Sequence, residues 1–150
     1  MTTSATTLVV PEVVQAMMPF LTEAYGNASS IHSWGQRARA AVEQARRQVA
    51  ALIGAREKEV VFTSGGTEAD NLALRGVMGA AGRSHPHVVT TTIEHHAVLN
   101  TCQALEAEGV RVTYVGVSAE GVVNPEDIRC ALTPETVLIT VMHANNELGT

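Results

Sequence analysis

Two rhythms of apolar and polar positions alternate along this chain. Short runs rich in β-branched residues occur at 60–62, 87–93, 111–117 and 137–142 and predict strands. Between them apolar residues recur at helical spacing. Val13, Met17, Phe20 and Leu21 predict a first helix opened by Pro11, and Pro19 is expected to kink or end it. Ala38, Val42, Ala45, Val49 and Leu52 form one face of a helix over 35–53, with Gly54 as its stop and Glu43 placed to pair with Arg47. Ala69, Leu72, Ala73, Gly76, Val77 and Ala80 share a face over 68–80, and Val98, Cys102, Leu105 and Gly109 share one on a helix from Ala97. Asn124, followed by Pro125, Glu126 and Asp127, is a well-formed helix start. The run at 137–142 is nearly all apolar, as in a strand buried on both faces of a parallel sheet. The alternation predicts an α/β fold with a mostly parallel sheet and flanking helices.

Composition narrows this further. With 150 residues, 45% hydrophobic and 17% charged, the chain suits one domain with a real core rather than a disordered segment. A net charge of −5 without a Lys/Arg cluster argues against a nucleic-acid partner. No apolar run reaches transmembrane length, and no signal-peptide pattern appears. Glu12 and Glu23 precede the first arginine, Arg37, unlike a transit peptide. Together these predict a soluble cytoplasmic protein with no membrane contact. Cys102 and Cys130 make no disulfide framework, and both read as packing residues. His85-Pro86-His87 lacks the partner set of a metal site, so no metal is expected.

The candidate chemistry sits where strands hand over to helices. At 63–67 the glycine-rich turn Thr-Ser-Gly-Gly-Thr lets a ligand approach the backbone, and the helix after it aims unpaired N–H groups at the same spot. The Ser64 and Thr67 hydroxyls can add two donors. This is a phosphate cradle in outline, though neither a Walker A loop nor G-x-G-x-x-G; a well-capped turn reads similarly. Glu94-His95-His96 lies at a second strand-to-helix junction, where α/β proteins place ligand sites, although a solvated helix start has the same pattern. His32 after a turn-rich loop, and Asn145-Asn146 after the last strand, also fit ordinary turns.

Four stretches in order carry a family likeness: Gly26-Asn27-Ala28-Ser29-Ser30 with His32, Ser64-Gly65-Gly66-Thr67-Glu68-Ala69-Asp70-Asn71, Glu94-His95-His96-Ala97-Val98, and Met142-His143-Ala144-Asn145-Asn146-Glu147. They resemble the cysteine desulfurases of the class V aminotransferase group, which depend on pyridoxal 5′-phosphate (PLP). Ser4-Ala5-Thr6-Thr7 is similar to that family's opening segment. The resemblance implies the N-terminal portion of a PLP-transferase-like large domain, with an arm and first helix over 1–33, an α/β part over 34–150, and the C-terminal part absent. It implies that Gly66 and Thr67 hold the PLP phosphate. His95 would stack on the ring as the catalytic, proton-transferring group, and Asn146 would bond the phenolic oxygen. The implied reaction converts L-cysteine to L-alanine and passes sulfur to an acceptor or scaffold protein, in iron–sulfur cluster or sulfur metabolism, within a homodimer. Another class V enzyme such as a selenocysteine lyase is the alternative, as is a non-catalytic remnant that binds a partner or a phosphate.

PLP chemistry needs a lysine amine to carry the cofactor. The single lysine, Lys58, lies in a polar Arg-Glu-Lys-Glu run that reads as a solvated loop. Nothing resembles the family's Ser-x-His-Lys, its cysteine loop or its substrate-binding arginine, so the 150-residue chain alone is predicted to be inactive. The family's strand order further implies that 60–62 lacks its neighbour here while the other three strands pair together.

Overall fold

The run His-Val-Val-Thr-Thr forms β1 (His87–Thr91), the middle strand of a three-stranded parallel sheet in the computed structural model, which describes residues 7–150. Neighbours on both sides bury all five of its residues, as its apolar and β-branched character requires. β2 (Arg111–Val115) and β3 (Thr136–Ile139) flank it in the order β2-β1-β3. Val89 lies opposite Thr113 on one side and Ile139 on the other. The crossovers run through α4 (His96–Ala107) and α5 (Pro125–Ala131). The expected mostly parallel α/β architecture is therefore present, and the three strands after the glycine turn do pair together.

The core is the cluster of Leu74 on α3 (Gly66–Ala80), Val88 on β1, and Val98, Cys102 and Leu105 on α4. The predicted α4 face is thus the buried one. The α3 face is not: Leu74 and Met78 form its packed stripe, while Leu72 and Val77 remain exposed. His87 is fully buried among polar partners. Its ring nitrogens lie 2.8 Å from Thr136 Oγ1 on β3 and 2.9 Å from Thr113 Oγ1 on β2, tying all three strands together.

Some expectations need correction. The run at 137–142 is not buried on both faces; the strand ends at Ile139, which is 46% exposed, because β1 is its sole neighbour among the described strands. Cys130 does not pack, since the seven-residue α5 buries none of its residues. Among the described residues no helix is long and apolar enough to cross a membrane.

Among the described residues, those from Thr63 onward form one compact unit, and residues 7–62 form a second. In the second, α1 (Pro11–Thr22) continues three residues past Pro19 and buries none of its residues, so the proline does not end it. α2 (Ser33–Ile53) is capped by His32, whose Nδ1 accepts from the Gly35 N–H at 3.2 Å, and is stopped by Gly54 in the left-handed region. Gly35 is required by close approach: a Cβ there would lie 2.4 Å from the Ser30 carbonyl oxygen. Gly35 and Ala50 are the buried residues of α2, and Leu52 on the predicted face is 85% exposed. Glu43 pairs with Arg46 at 3.3 Å rather than with Arg47, which bonds Gln44.

Residues 60–62 do not form a strand. Val60 is extended, but its carbonyl accepts from the Arg46 guanidinium rather than from a neighbouring strand, and that guanidinium also lies 5.0 Å from the Phe62 ring centre. This agrees with the expectation that the segment lacks its strand neighbour. Ser4, Ala5 and Thr6 of the opening motif lie outside the described residues.

Candidate functional site

The glycine turn leads directly into α3, whose first backbone bond is Ala69 N–H to the Gly65 carbonyl at 3.1 Å. The N–H groups of Gly66, Thr67 and Glu68 lie ahead of that bond, and Gly65 supplies no side-chain cap. Gly65 is extended, a conformation open to any residue, and a Cβ added to Gly65 or Gly66 would meet nothing within 4 Å. The protein's own packing does not demand these glycines. They leave the helix start open to a ligand, with the positive end of the helix dipole behind it.

One expected donor is already committed. The Ser64 hydroxyl and N–H both donate to the Glu68 carboxylate, at 2.7 and 2.6 Å, holding that carboxyl below its usual range. Glu68 is therefore charged at neutral pH and weakens the pull of this turn on an anion. Thr67 keeps its place in the first turn, and Asn71 Nδ2 donates to the Thr67 carbonyl at 2.9 Å.

The second helix start is built around His95. As the N-cap of α4, its Nδ1 accepts from the Ala97 N–H at 3.0 Å. In the neutral ring that bond leaves the proton on Nε2. Thr67, Asn71 and Arg75 of α3 line one cleft of about 360 Å³ with His95 and with His96 and Asn100 of α4. The cleft thus runs between α3 and α4, with the first-turn residue Thr67 and the N-cap His95 at one end of its lining. Its one cation, Arg75, is paired with Glu108 at 2.9 Å. A larger open cleft of about 570 Å³ includes Arg47, Arg56 and Lys58 of the second unit, but no residue of the four motifs.

Asn146 follows β3 on an exposed turn, and the cleft lining does not include it. Its neighbour Asn145 is buried and donates from Nδ2 to the Ile93 carbonyl at 3.0 Å. Glu94, also buried, accepts from the Met142 N–H at 2.9 Å and from the Thr91 hydroxyl at 2.7 Å. The loops after β1 and β3 are therefore joined beside His95 and Asn146. Sequence reasoning quoted Glu94 and Asn145 in motifs without giving either a role. The available signal was a polar residue just past an apolar run: Glu94 follows Ile93, and Asn145 comes three residues after Met142.

A parallel sheet with helix starts gathered at one cleft defines the class: the profile of the aminotransferase class-V family matches residues 1–150, and the chain belongs to that family. Its relatives are more particular. It is 50% identical over 147 residues to cysteine desulfurase IscS of Dictyoglomus turgidum, covering 98% of this chain and 37% of the relative. Among solved structures, a NifS-like protein matches with a TM-score of 0.89 and 39% identity, over 96% of this chain and 40% of that one. SspA in complex with cysteine also matches with a TM-score of 0.89 and 39% identity, over 98% and 42%. The chain thus spans well under half the length of these relatives.

Proposed function

We propose that this chain is the phosphate- and ring-holding part of a PLP-dependent cysteine desulfurase, which takes sulfur from L-cysteine, leaves L-alanine, and hands the sulfur to an acceptor or scaffold protein. The carrying observation is the cleft between α3 and α4 that is lined by both Thr67, at the open start of α3, and His95, the N-cap of α4. The likeness to cysteine desulfurases, and to SspA solved in complex with cysteine, supports the substrate. The residues fit the cofactor: the Gly66 and Thr67 N–H groups and the Thr67 hydroxyl are donors suited to its phosphate. His95 offers a flat ring to lie against the pyridine, and Asn146 an amide for the phenolic oxygen. Bound PLP supplies an electron sink for charge developing on the substrate.

With Nδ1 held by the Ala97 N–H, His95 exchanges its proton through Nε2. With the Glu68 carboxylate beside the cradle and Arg75 paired with Glu108, the groups this chain offers the phosphate are the first-turn N–H dipoles and the Thr67 hydroxyl. Lys58 sits exposed in the short turn Glu57–Glu59 and is not assigned as the cofactor-carrying amine. The whole enzyme is read as a cytoplasmic homodimer. Absorbance titration with PLP tests the reading. Thr67→Ala and His95→Ala should each weaken binding about tenfold, or roughly 1.4 kcal/mol. Affinities equal to the unsubstituted chain's for both variants overturn it.

A further inference from the structure

We propose that Glu94 is a positioning residue: its buried carboxylate, together with the Asn145 amide, clasps the loop bearing His95 to the loop bearing Asn146. The role rests on the proposed function, in which those two side chains meet one cofactor.

β1 and β3 leave the sheet side by side, and Thr140 N–H to the Val89 carbonyl at 2.9 Å is a backbone bond at the end of their pairing. Beyond it the two chains are held by side chains. Glu94 Oε1 accepts from the Met142 N–H at 2.9 Å, and Asn145 Nδ2 donates to the Ile93 carbonyl at 3.0 Å. Both donors lie on the loop after β3, but the side chain comes from a different loop in each bond, so each loop supplies one side chain and one backbone group. Asn145 Oδ1 also accepts from the N–H groups of Glu147 and Leu148, at 2.9 and 2.8 Å, which fixes the turn on the far side of Asn146.

Burial makes this contact consequential. Glu94 is 6% exposed and Asn145 8%, and burying a carboxylate is costly unless its hydrogen bonds are good. An apolar residue would pack there without that cost but could not hold Met142. The Thr91 hydroxyl donates to the same Oε1 at 2.7 Å and so aims it. Both contacts are donors to one oxygen, so the clasp needs an acceptor at that reach and not a negative charge. Glutamine keeps the acceptor and the reach; alanine keeps neither; aspartate is one methylene short.

The test uses the isotope-labelled 150-residue chain. Glu94→Ala should raise amide exchange at Met142 at least tenfold and shift the His95 ring and Asn146 side-chain resonances. Val88 and Val112 in the sheet should stay protected, and PLP affinity should fall about tenfold. Glu94→Gln should recover all four readouts. If Glu94→Ala proves unfolded, Asn145→Ala cuts the clasp from the other loop and should move the His95 resonances. Unmoved His95 and Asn146 resonances in the clasp-breaking variant, or a glutamine variant that behaves like alanine, overturns the proposal. If the resonances move as expected but the unsubstituted chain binds no PLP, the functional reading has failed, and the positioning role fails with it while the contact stands.

Discussion

The two cysteines offer a sharp contrast in reactivity. Cys102 is fully buried on α4 within the main core, and burial, with Glu106 and Glu94 nearby, pushes its thiol up to about 11. Cys130 is exposed on α5. At pH 8 a thiol of pKa about 11 is about one-thousandth thiolate, against about one-tenth for an ordinary thiol near 9. Attack through the folded state is therefore slowed about a hundredfold by ionisation alone, before access is considered. The other route requires α4 to open; an opening free energy of about 4 kcal/mol slows it about a thousandfold. Reaction with a chromogenic disulfide should show one fast thiol and a second at least a hundredfold slower. Cys130→Ser should abolish the fast phase, and Cys102→Ser the slow one. Two thiols reacting within tenfold of each other, or Cys102 reacting first, would refute this placement of Cys102. Catalytic sulfur carriage by Cys102 needs the opposite behaviour.

Other consequences can be measured on the same chain. Leu105→Ala removes a buried side chain from the cluster that joins α3, α4 and β1, and should cost about 3 kcal/mol in urea unfolding followed by circular dichroism. Burial, with Arg111 nearby, holds His87 below its usual range against a weaker opposite pull from Glu135, so the folded state binds fewer protons here than the unfolded chain. Its contribution is complete above about pH 6.5 and is lost as pH falls through the lower folded value. His87→Gln should flatten the part of the stability profile that lies just below the unfolded-histidine value of about pH 6.5. Mixing with PLP, reducing with borohydride and weighing the product should show no stoichiometric label on Lys58, because it is exposed in the turn Glu57–Glu59.

Long periodic elements were legible in the sequence. The α4 face, the Asn124 helix start and the Gly54 stop follow from spacing and capping chemistry that act within a few residues. Errors cluster where a tertiary neighbour decides the outcome. β-Branched residues at 60–62 favour extension, yet a strand also needs a partner, and Arg46 takes the Val60 carbonyl instead. Small residues at helical spacing predicted the wrong buried face of α3, because Leu74 and Met78 meet the core first. Within the site, local pattern marked Thr67 and His95 as helix starts after extended segments, and the family resemblance, not the pattern, gave them their roles. Glu94 and Asn145 could not be given their roles that way. Their partners lie about fifty residues off, at Met142 and Ile93 respectively, a pairing that only the β1–β3 register creates.

The most direct measurement is a chemical-shift titration of the labelled 150-residue chain with inorganic phosphate and, separately, with PLP. Both ligands should move the Gly66, Thr67 and Glu68 amides, whose N–H groups lie open at the start of α3. Only PLP should also move the His95 ring, because only PLP brings an aromatic ring to the cleft. Shifts centred instead on Arg47, Arg56 and Lys58, with the α3 amides still, would contradict the phosphate cradle.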